Sequence, residues 1–233
     1  MWRIINLIQL ILISLHTVFM AVAFTWALPT RWIYFLANNI WSNTLIFFAG
    51  GKLKCTGREN IQRGKNYMFL SNHTSWIDIM VIMYSSQRVV RFIAKKELGR
   101  IPFLGYMMHR VGMIFVDRGN VKKSAKMVKE TLNKIKNGSN IAAFPEGTRS
   151  KDGKLSQFKK GMFSIAIMAG IDIIPVGIVG ASKVWYRNNH TFRPGTIEVN
   201  YGKPISISEY NESNIIELIE RVRQEITLLS KQA

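Results

Sequence analysis

The chain has 233 residues, 48% of them hydrophobic, with a net charge of +18 and a single cysteine. That length suits one α/β domain with an appendage, and the apolar fraction is ample for a core and points to membrane contact. The lone Cys55 excludes a disulfide within the chain and a Cys-rich metal site, while the charge favours anionic partners: membrane surfaces, phosphorylated substrates, acidic carriers or nucleic acid.

Between Arg3 and Arg31 no residue is charged. Residues 4–28 are long enough to cross a bilayer, for which about 20 apolar residues suffice. A second uncharged stretch, 32–51, is shorter and is interrupted by Asn38, Asn39, Ser42 and Asn43. Its Trp32, Tyr34 and Trp41 are of the kind that settle at the membrane interface. With Pro29 between them, the two stretches read as a helical hairpin that either spans the membrane or lies in one leaflet. Asn6, Gln9, Ser14, His16 and Thr17 in the first helix suit a shallow, interfacial placement. The competing reading is a cleaved signal peptide ending near Ala21-Val-Ala23; against it, the second apolar stretch would survive cleavage and still need burial. Basic residues at both ends leave the orientation nearly open.

From Lys52 the composition is that of a soluble domain. Short apolar runs predict strands at 67–70, 89–94, 111–116, 140–144, 173–179 and 196–200. Residues 77–84 read as a buried helix. Val121, Ala125, Val128, Leu132 and Ile135 recur at helix spacing, with Asn120 as cap and Gly138 as stop. Residues 162–169 are apolar and end at Gly170. Ile215, Ile219, Val222, Ile226 and Leu229 form one face of an amphipathic C-terminal helix. The alternation predicts an α/β fold: a mixed, mainly parallel sheet covered by helices on both faces, preceded by the two-helix motif.

The chemistry concentrates at strand ends, where α/β folds place ligands. In Tyr67-Met-Phe-Leu-Ser-Asn-His-Thr-Ser-Trp-Ile-Asp78, a strand leads through a polar turn into a helix. His73 and Asp78 would lie about 140° apart on one continuous helix, so they meet only if His73 precedes the helix and Asp78 opens it. In that geometry the carboxylate orients the imidazole and leaves its other nitrogen as a base. No Gly-x-Ser-x-Gly elbow occurs, so the base would act on a substrate hydroxyl. The bland alternative is a turn histidine and a capping aspartate. A second stretch, Phe144-Pro-Glu-Gly-Thr-Arg-Ser150, follows another strand. There Gly147 permits close backbone approach, and Arg149 offers a planar fork for phosphate oxygens. Thr148 and Ser150 add hydroxyls, and Glu146 can accept hydrogen bonds from a polyol. A third, Gly112-Met-Ile-Phe-Val-Asp-Arg118, ends a strand with a cation. Lys159 and Lys160 stand at the start of a helix, and Lys95 and Lys96 precede Ile101-Pro-Phe-Leu-Gly105. Together these cations read as a phosphate-recognition rim. His16, His109 and His190 have no partner at usable spacing, no cluster has zinc spacing, and the aromatic, glycine-rich strand motif of RNA-binding modules is absent.

Four blocks in this order carry a resemblance. Asn72-His-Thr-Ser-Trp-Ile-Asp78 resembles the Asn-His-x4-Asp motif of the glycerolipid acyltransferases. Residues 112–118 resemble their Gly-x-x-Phe-x-x-Arg block, 144–150 their Phe-Pro-Glu-Gly-Thr-Arg-Ser block, and Ile174-Pro-Val176 their apolar-proline block. The likeness runs from about residue 54 to 201 and is strongest to the bacterial enzymes that acylate 1-acyl-sn-glycerol 3-phosphate. It implies transfer of a fatty acyl group from acyl-CoA or acyl carrier protein to the sn-2 hydroxyl of lysophosphatidic acid, giving phosphatidic acid, with no cofactor and no metal. It implies His73 as general base and Asp78 as its orienting partner. It implies an acceptor-binding role for Glu146, Gly147, Thr148, Arg149 and Arg118, with Lys95, Lys159 and Lys160 as weaker candidates for phosphate or CoA contacts. Backbone N–H groups near the turn are candidates for stabilising a tetrahedral oxyanion. It also implies a two-helix membrane motif, residues 1–51, before a catalytic domain, residues 52–233. The partners expected are anionic membrane lipids and acyl carrier protein, not nucleic acid. The place expected is the inner membrane, catalytic domain on the cytoplasmic side. The rivals are the same chemistry on another lysolipid or glycerol 3-phosphate, and a non-catalytic basic membrane- or nucleic-acid-binding protein that keeps the fold.

Overall fold

A computed structural model describes all residues except 1, 26–27, 118–120, 151, 187–190 and 232–233. The chain begins with α1 (Trp2–Thr25), which is followed by α2 (Thr30–Phe35), a π-helical segment (Leu36–Trp41) and α3 (Ser42–Phe48). Then come β1 (Gly51–Thr56), β2 (Met68–Ser71), α4 (Ile77–Ser86), β3 (Val90–Lys95), α5 (Leu104–Arg110), β4 (Ile114–Val116) and α6 (Val121–Lys136). The chain closes with β5 (Asn140–Ala143), α7 (Gly161–Ala169), β6 (Ile173–Val179), α8 (Ala181–Val184), β7 (Gly195–Tyr201) and α9 (Ile215–Leu229).

Among the described residues seven strands form one sheet in the order β1-β7-β6-β2-β5-β3-β4. Every neighbouring pair is parallel except β6 with β7. The expected mixed, mainly parallel α/β sheet is therefore the observed one. β2 and β5 sit at its centre and are buried along their whole length, which is why they read as continuous apolar runs and not as alternation. Their side chains still divide between faces. Phe69 and Ala142 pack in one apolar cluster with α3, α4 and the inner faces of α1 and α2. Met68, Leu70, Ile141 and Ala143 pack in a second with α6, α7 and α9.

Two expectations are corrected. Residues 111–116 are not one strand: the Val111 N–H still donates to the Met107 carbonyl at the end of α5, Gly112 turns with φ +67°, and pairing begins only at Ile114. A seventh strand, β1, was not expected, because its alternating exposure puts Lys52 and Lys54 outward and leaves only half an apolar signal. The helix stops at Gly138 and Gly170 stand, with φ +77° and +64°. The Asn120 cap lies outside the described residues.

The second apolar stretch is a helix with one wide turn. The Ser42 backbone N–H and Oγ both donate to the Ala37 carbonyl five residues back, the spacing of a π turn, and Asn38 Nδ2 donates to the Arg88 carbonyl at 2.7 Å. Helix α1 is long and apolar enough over Arg3–Val22 to cross a membrane, and little of that stretch is buried against the domain. Its outer face exposes Ile4, Leu7, Ile8, Ile11, Leu15 and Phe19, and Phe103 just before α5 and Tyr106 within it are exposed too. Its inner face is pinned by polar side chains. Asn6 Oδ1 accepts from the Phe192 N–H at 2.8 Å, Gln9 Nε2 donates to the Phe48 carbonyl at 2.9 Å, and Thr17 Oγ1 accepts from Trp41 Nε1 at 3.1 Å. Asn6, Gln9 and Thr17 thus serve the seat of α1 on the domain, while Ser14 is exposed.

Candidate active site

Because β2 is flanked by β6 and β5, its C-terminal end opens in the middle of the sheet edge. Asn72 carries the ladder one step further with its side chain: Oδ1 accepts from the Ile178 N–H and Nδ2 donates to the Ile178 carbonyl, both at 2.8 Å. It is buried, as is Ser75, whose Oγ donates to the Trp185 carbonyl at 2.8 Å. These three bonds anchor the turn at both ends. Replacing Asn72 with alanine is expected to cost about 2–4 kcal/mol, because a buried N–H and a buried C=O both lose their partner. A denaturant midpoint unchanged from wild type would show the pairing to be dispensable.

On this turn His73 Nδ1 lies 2.8 Å from Asp78 Oδ2. Asp78 is fully buried in the first turn of α4, where the helix dipole favours a negative charge. The same Oδ2 accepts the N–H groups of Thr74 at 2.7 Å and Ser75 at 2.8 Å. Three donors converging on one oxygen fix the carboxylate, and the carboxylate fixes the tautomer: Nδ1 carries the proton and Nε2 is left as the acceptor. The imidazole lies flat on Phe144, with ring centroids 3.8 Å apart and planes at 10°. The N–H groups of residues 73, 74 and 75 are all committed to carboxylates, so these three amides are not placed to stabilise an oxyanion.

The loop after β5 is built on a tight turn in which the Gly147 N–H donates to the Phe144 carbonyl at 2.9 Å. Pro145 stands second, where its fixed φ suits the turn, and Gly147 stands fourth with φ +74°. Between them Glu146 is buried (3% exposed). Its Oε1 accepts the His73 N–H at 2.9 Å, and its Oε2 accepts the Ser156 N–H at 3.0 Å and Oγ at 2.9 Å. Both oxygens are occupied within the protein, so Glu146 acts as a strut between the His73 turn and the loop, not as an open acceptor for a polyol. The Ser150 N–H closes a second link on the His73 carbonyl at 2.7 Å. Arg149 lies over the Trp76 ring at 4.3 Å, a cation–π contact that brings the guanidinium back toward the His73 turn. A Cβ on Gly147 would stand 3.0 Å from Lys159 Cε and Nζ and would strain a left-handed backbone. Gly147→Ala is therefore expected to raise KM for a phosphorylated acceptor several-fold while the protein stays folded, which steady-state kinetics beside a melting curve would read.

The other cations are distributed unevenly. Lys159 lies across Gly147, and its N–H donates to the Pro145 carbonyl at 2.9 Å. Lys160 turns to Glu212 at 2.8 Å, an exposed pair. Lys95, at the end of β3, stands 3.6 Å from Glu97, also exposed. Thr148 is exposed on the loop. Arg118 and His190 lie outside the described residues; Val116, two places before Arg118, pairs with Lys95. Among the described residues no group of three or more His, Cys, Asp or Glu is placed to hold a metal ion. Sequence reasoning missed the roles of Asn72, Phe144, Ser156 and Trp185. Each acts through a partner distant in sequence, for which no local spacing gives a sign.

Fold and site define a class: a mixed α/β domain carrying a His-x4-Asp pair at a central strand end, gripped by a Phe-Pro-Glu-Gly-Thr-Arg loop. A family profile described as Acyltransferase matches residues 52–179. The chain belongs to this acyltransferase family. It is 30% identical over 178 residues to the 1-acyl-sn-glycerol-3-phosphate acyltransferase of Borreliella burgdorferi, covering 75% of this chain and 71% of that protein. It is 30% identical over 188 residues to the protein of the same name from Cocos nucifera, covering 80% and 60%. The match to that of Saccharomyces cerevisiae is 33% over 180 residues, covering 76% and 59%. The chain thus spans about three fifths of the length of the coconut and yeast relatives. In structure it is similar to the crystal structure of the 1-acyl-sn-glycerophosphate (LPA) acyltransferase PlsC from Thermotoga maritima, with a TM-score of 0.82 and 25% identity, covering 100% of this chain and 97% of that one.

Proposed function

We propose that the protein transfers a fatty acyl group from a thioester, acyl-CoA or acyl carrier protein, to the sn-2 hydroxyl of 1-acyl-sn-glycerol 3-phosphate, yielding phosphatidic acid. The observation that carries this reading is the 2.8 Å contact between His73 Nδ1 and the buried Asp78 carboxylate in a chain of the acyltransferase family. His73 Nε2 takes the proton of the acceptor hydroxyl as its oxygen attacks the thioester carbonyl. The tetrahedral intermediate expels the thiolate, and the imidazolium returns its proton to the sulfur. The enzyme forms no covalent bond, and no step calls for a metal. Asp78 orients the base and balances its transient charge.

Arg149 and Arg118 grip the acceptor phosphate, with Thr148 and the Gly147 backbone beside them. Glu146 shapes that loop from within. Lys95, Lys159 and Lys160 line the rim toward the phosphates of acceptor or CoA. Residues 1–51 act as the membrane motif of a catalytic domain comprising 52–233. The exposed apolar face of α1 lies in the cytoplasmic leaflet of the inner membrane, and the basic surface docks on anionic lipid at about 1 kcal/mol per well-placed cation. The test is a labelled acyl-transfer assay on purified protein, offering lysophosphatidic acid, other lysophospholipids and glycerol 3-phosphate with each donor. Lysophosphatidic acid should win the competition; preference for another acceptor would move the substrate assignment, and no transfer with any pair would end it.

A further inference from the structure

We propose that Phe144 is a positioning residue for His73, one whose ring face holds the neutral imidazole in plane and attracts the protonated one more strongly. The inference rests on the assignment of His73 as general base. A single hydrogen bond at Nδ1 restricts the imidazole but tolerates some tilt about the Cβ–Cγ bond, so a second constraint on the ring plane sharpens the aim of Nε2. Phe144 supplies it: the two rings are nearly parallel, 10° apart, with centroids separated by 3.8 Å.

That separation decides the character of the contact. Two neutral aromatic rings prefer an offset or edge-to-face arrangement, because their negative faces repel when directly stacked. A cationic ring over an aromatic face is attracted instead. With the rings in van der Waals contact about 3.5 Å apart, centroids 3.8 Å apart at 10° describe an offset stack that serves the neutral ring and gains a cation's attraction to the aromatic face when the imidazolium forms as the acceptor proton is taken. An interaction stronger in the transition state than in the ground state acts on kcat.

The surroundings hold Phe144 in register. It directly follows β5, where Ala143 pairs with Leu70 of β2, so its side chain stands beside the strand that leads to His73. Phe92 on β3, paired with Ala142, supports it from behind, with centroids 6.0 Å apart. The His73 backbone is tied to the same loop on both sides, through its N–H to Glu146 and its carbonyl from Ser150. Base and acceptor loop are thereby one unit, with Phe144 as the only one of these links that reaches the imidazole itself.

The test compares Phe144→Leu and Phe144→Tyr with wild type and His73→Ala in the acyl-transfer assay, with thermal unfolding of each. Leucine keeps the volume and loses the π face. It should lower kcat about ten-fold, with KM for both substrates within two-fold of wild type. Tyrosine keeps the face and should return kcat to within about three-fold of wild type. Wild-type kcat in Phe144→Leu, a loss confined to KM, or an equal loss in a folded Phe144→Tyr would each overturn the proposal. Undiminished transfer by His73→Ala would instead remove the base assignment beneath it, so the two failures are told apart.

Discussion

His73→Ala is expected to lower kcat about 10²–10⁴-fold with little change in KM for either substrate, because general base catalysis contributes that much to the transition state and nothing to ground-state binding. At about 1.4 kcal/mol per decade this is roughly 3–5 kcal/mol of lost stabilisation. Asp78→Asn should lose less. The asparagine carbonyl can take the place of Oδ2 and still accept from Thr74, Ser75 and His73, so the turn and the tautomer survive while the balancing charge is lost. Its amide group would then occupy the Oδ1 position, which is buried and has no hydrogen-bond partner, so some stability is lost as well. The expected order of activity is wild type, then Asp78→Asn, then His73→Ala. Steady-state kinetics reads it directly, and wild-type turnover by the alanine variant would refute the base.

Glu146→Gln is expected to damage the protein nearly as much as Glu146→Ala, although glutamine has the same shape. Each carboxylate oxygen faces a backbone N–H, that of His73 on one side and that of Ser156 on the other. A glutamine amide has one acceptor end and one donor end, so either orientation sets NH₂ against N–H. Two charge-assisted bonds from buried groups are worth about 1.5–3 kcal/mol each, and an unpaired buried donor costs about 1–3 kcal/mol. We expect about 3 kcal/mol or more of destabilisation, a lower unfolding midpoint, and a fall in both kcat and acceptor affinity, since the strut joins the base to the Arg149 loop. Glutamine matching wild type in all three measurements would mean the carboxylate only touches substrate.

Much of this arrangement could be read from the residues. The central strands were visible because burial on both faces makes them uniformly apolar, and the turn between 71 and 77 because it interrupts such a run with polar residues. The separation of His73 from Asp78 itself required one before the helix and one at its start. What escaped was long-range or half-masked. β1 alternates lysine with apolar residues and pairs with β7, some 140 residues on, as the Thr56–Asn200 hydrogen bond shows. Gly112 breaks an apolar run that looks like strand throughout. Glu146 looked like a ligand for substrate because nothing local reveals Ser156 waiting ten residues later.

The seat of the first helix has a consequence for how the chain is made. Asn6 meets its partner at Phe192, 186 residues further along. At about 5–20 residues per second, synthesis leaves the helix without that partner for roughly ten seconds or more. Over that interval the Asn6 end of its inner face lacks its cover, although Trp41 and Phe48 emerge early enough to meet Thr17 and Gln9, and its apolar outer face is bare to solvent. A nascent chain of this design needs early delivery to lipid, which would shelter the helix until the ribosome has supplied the strands that complete its cover.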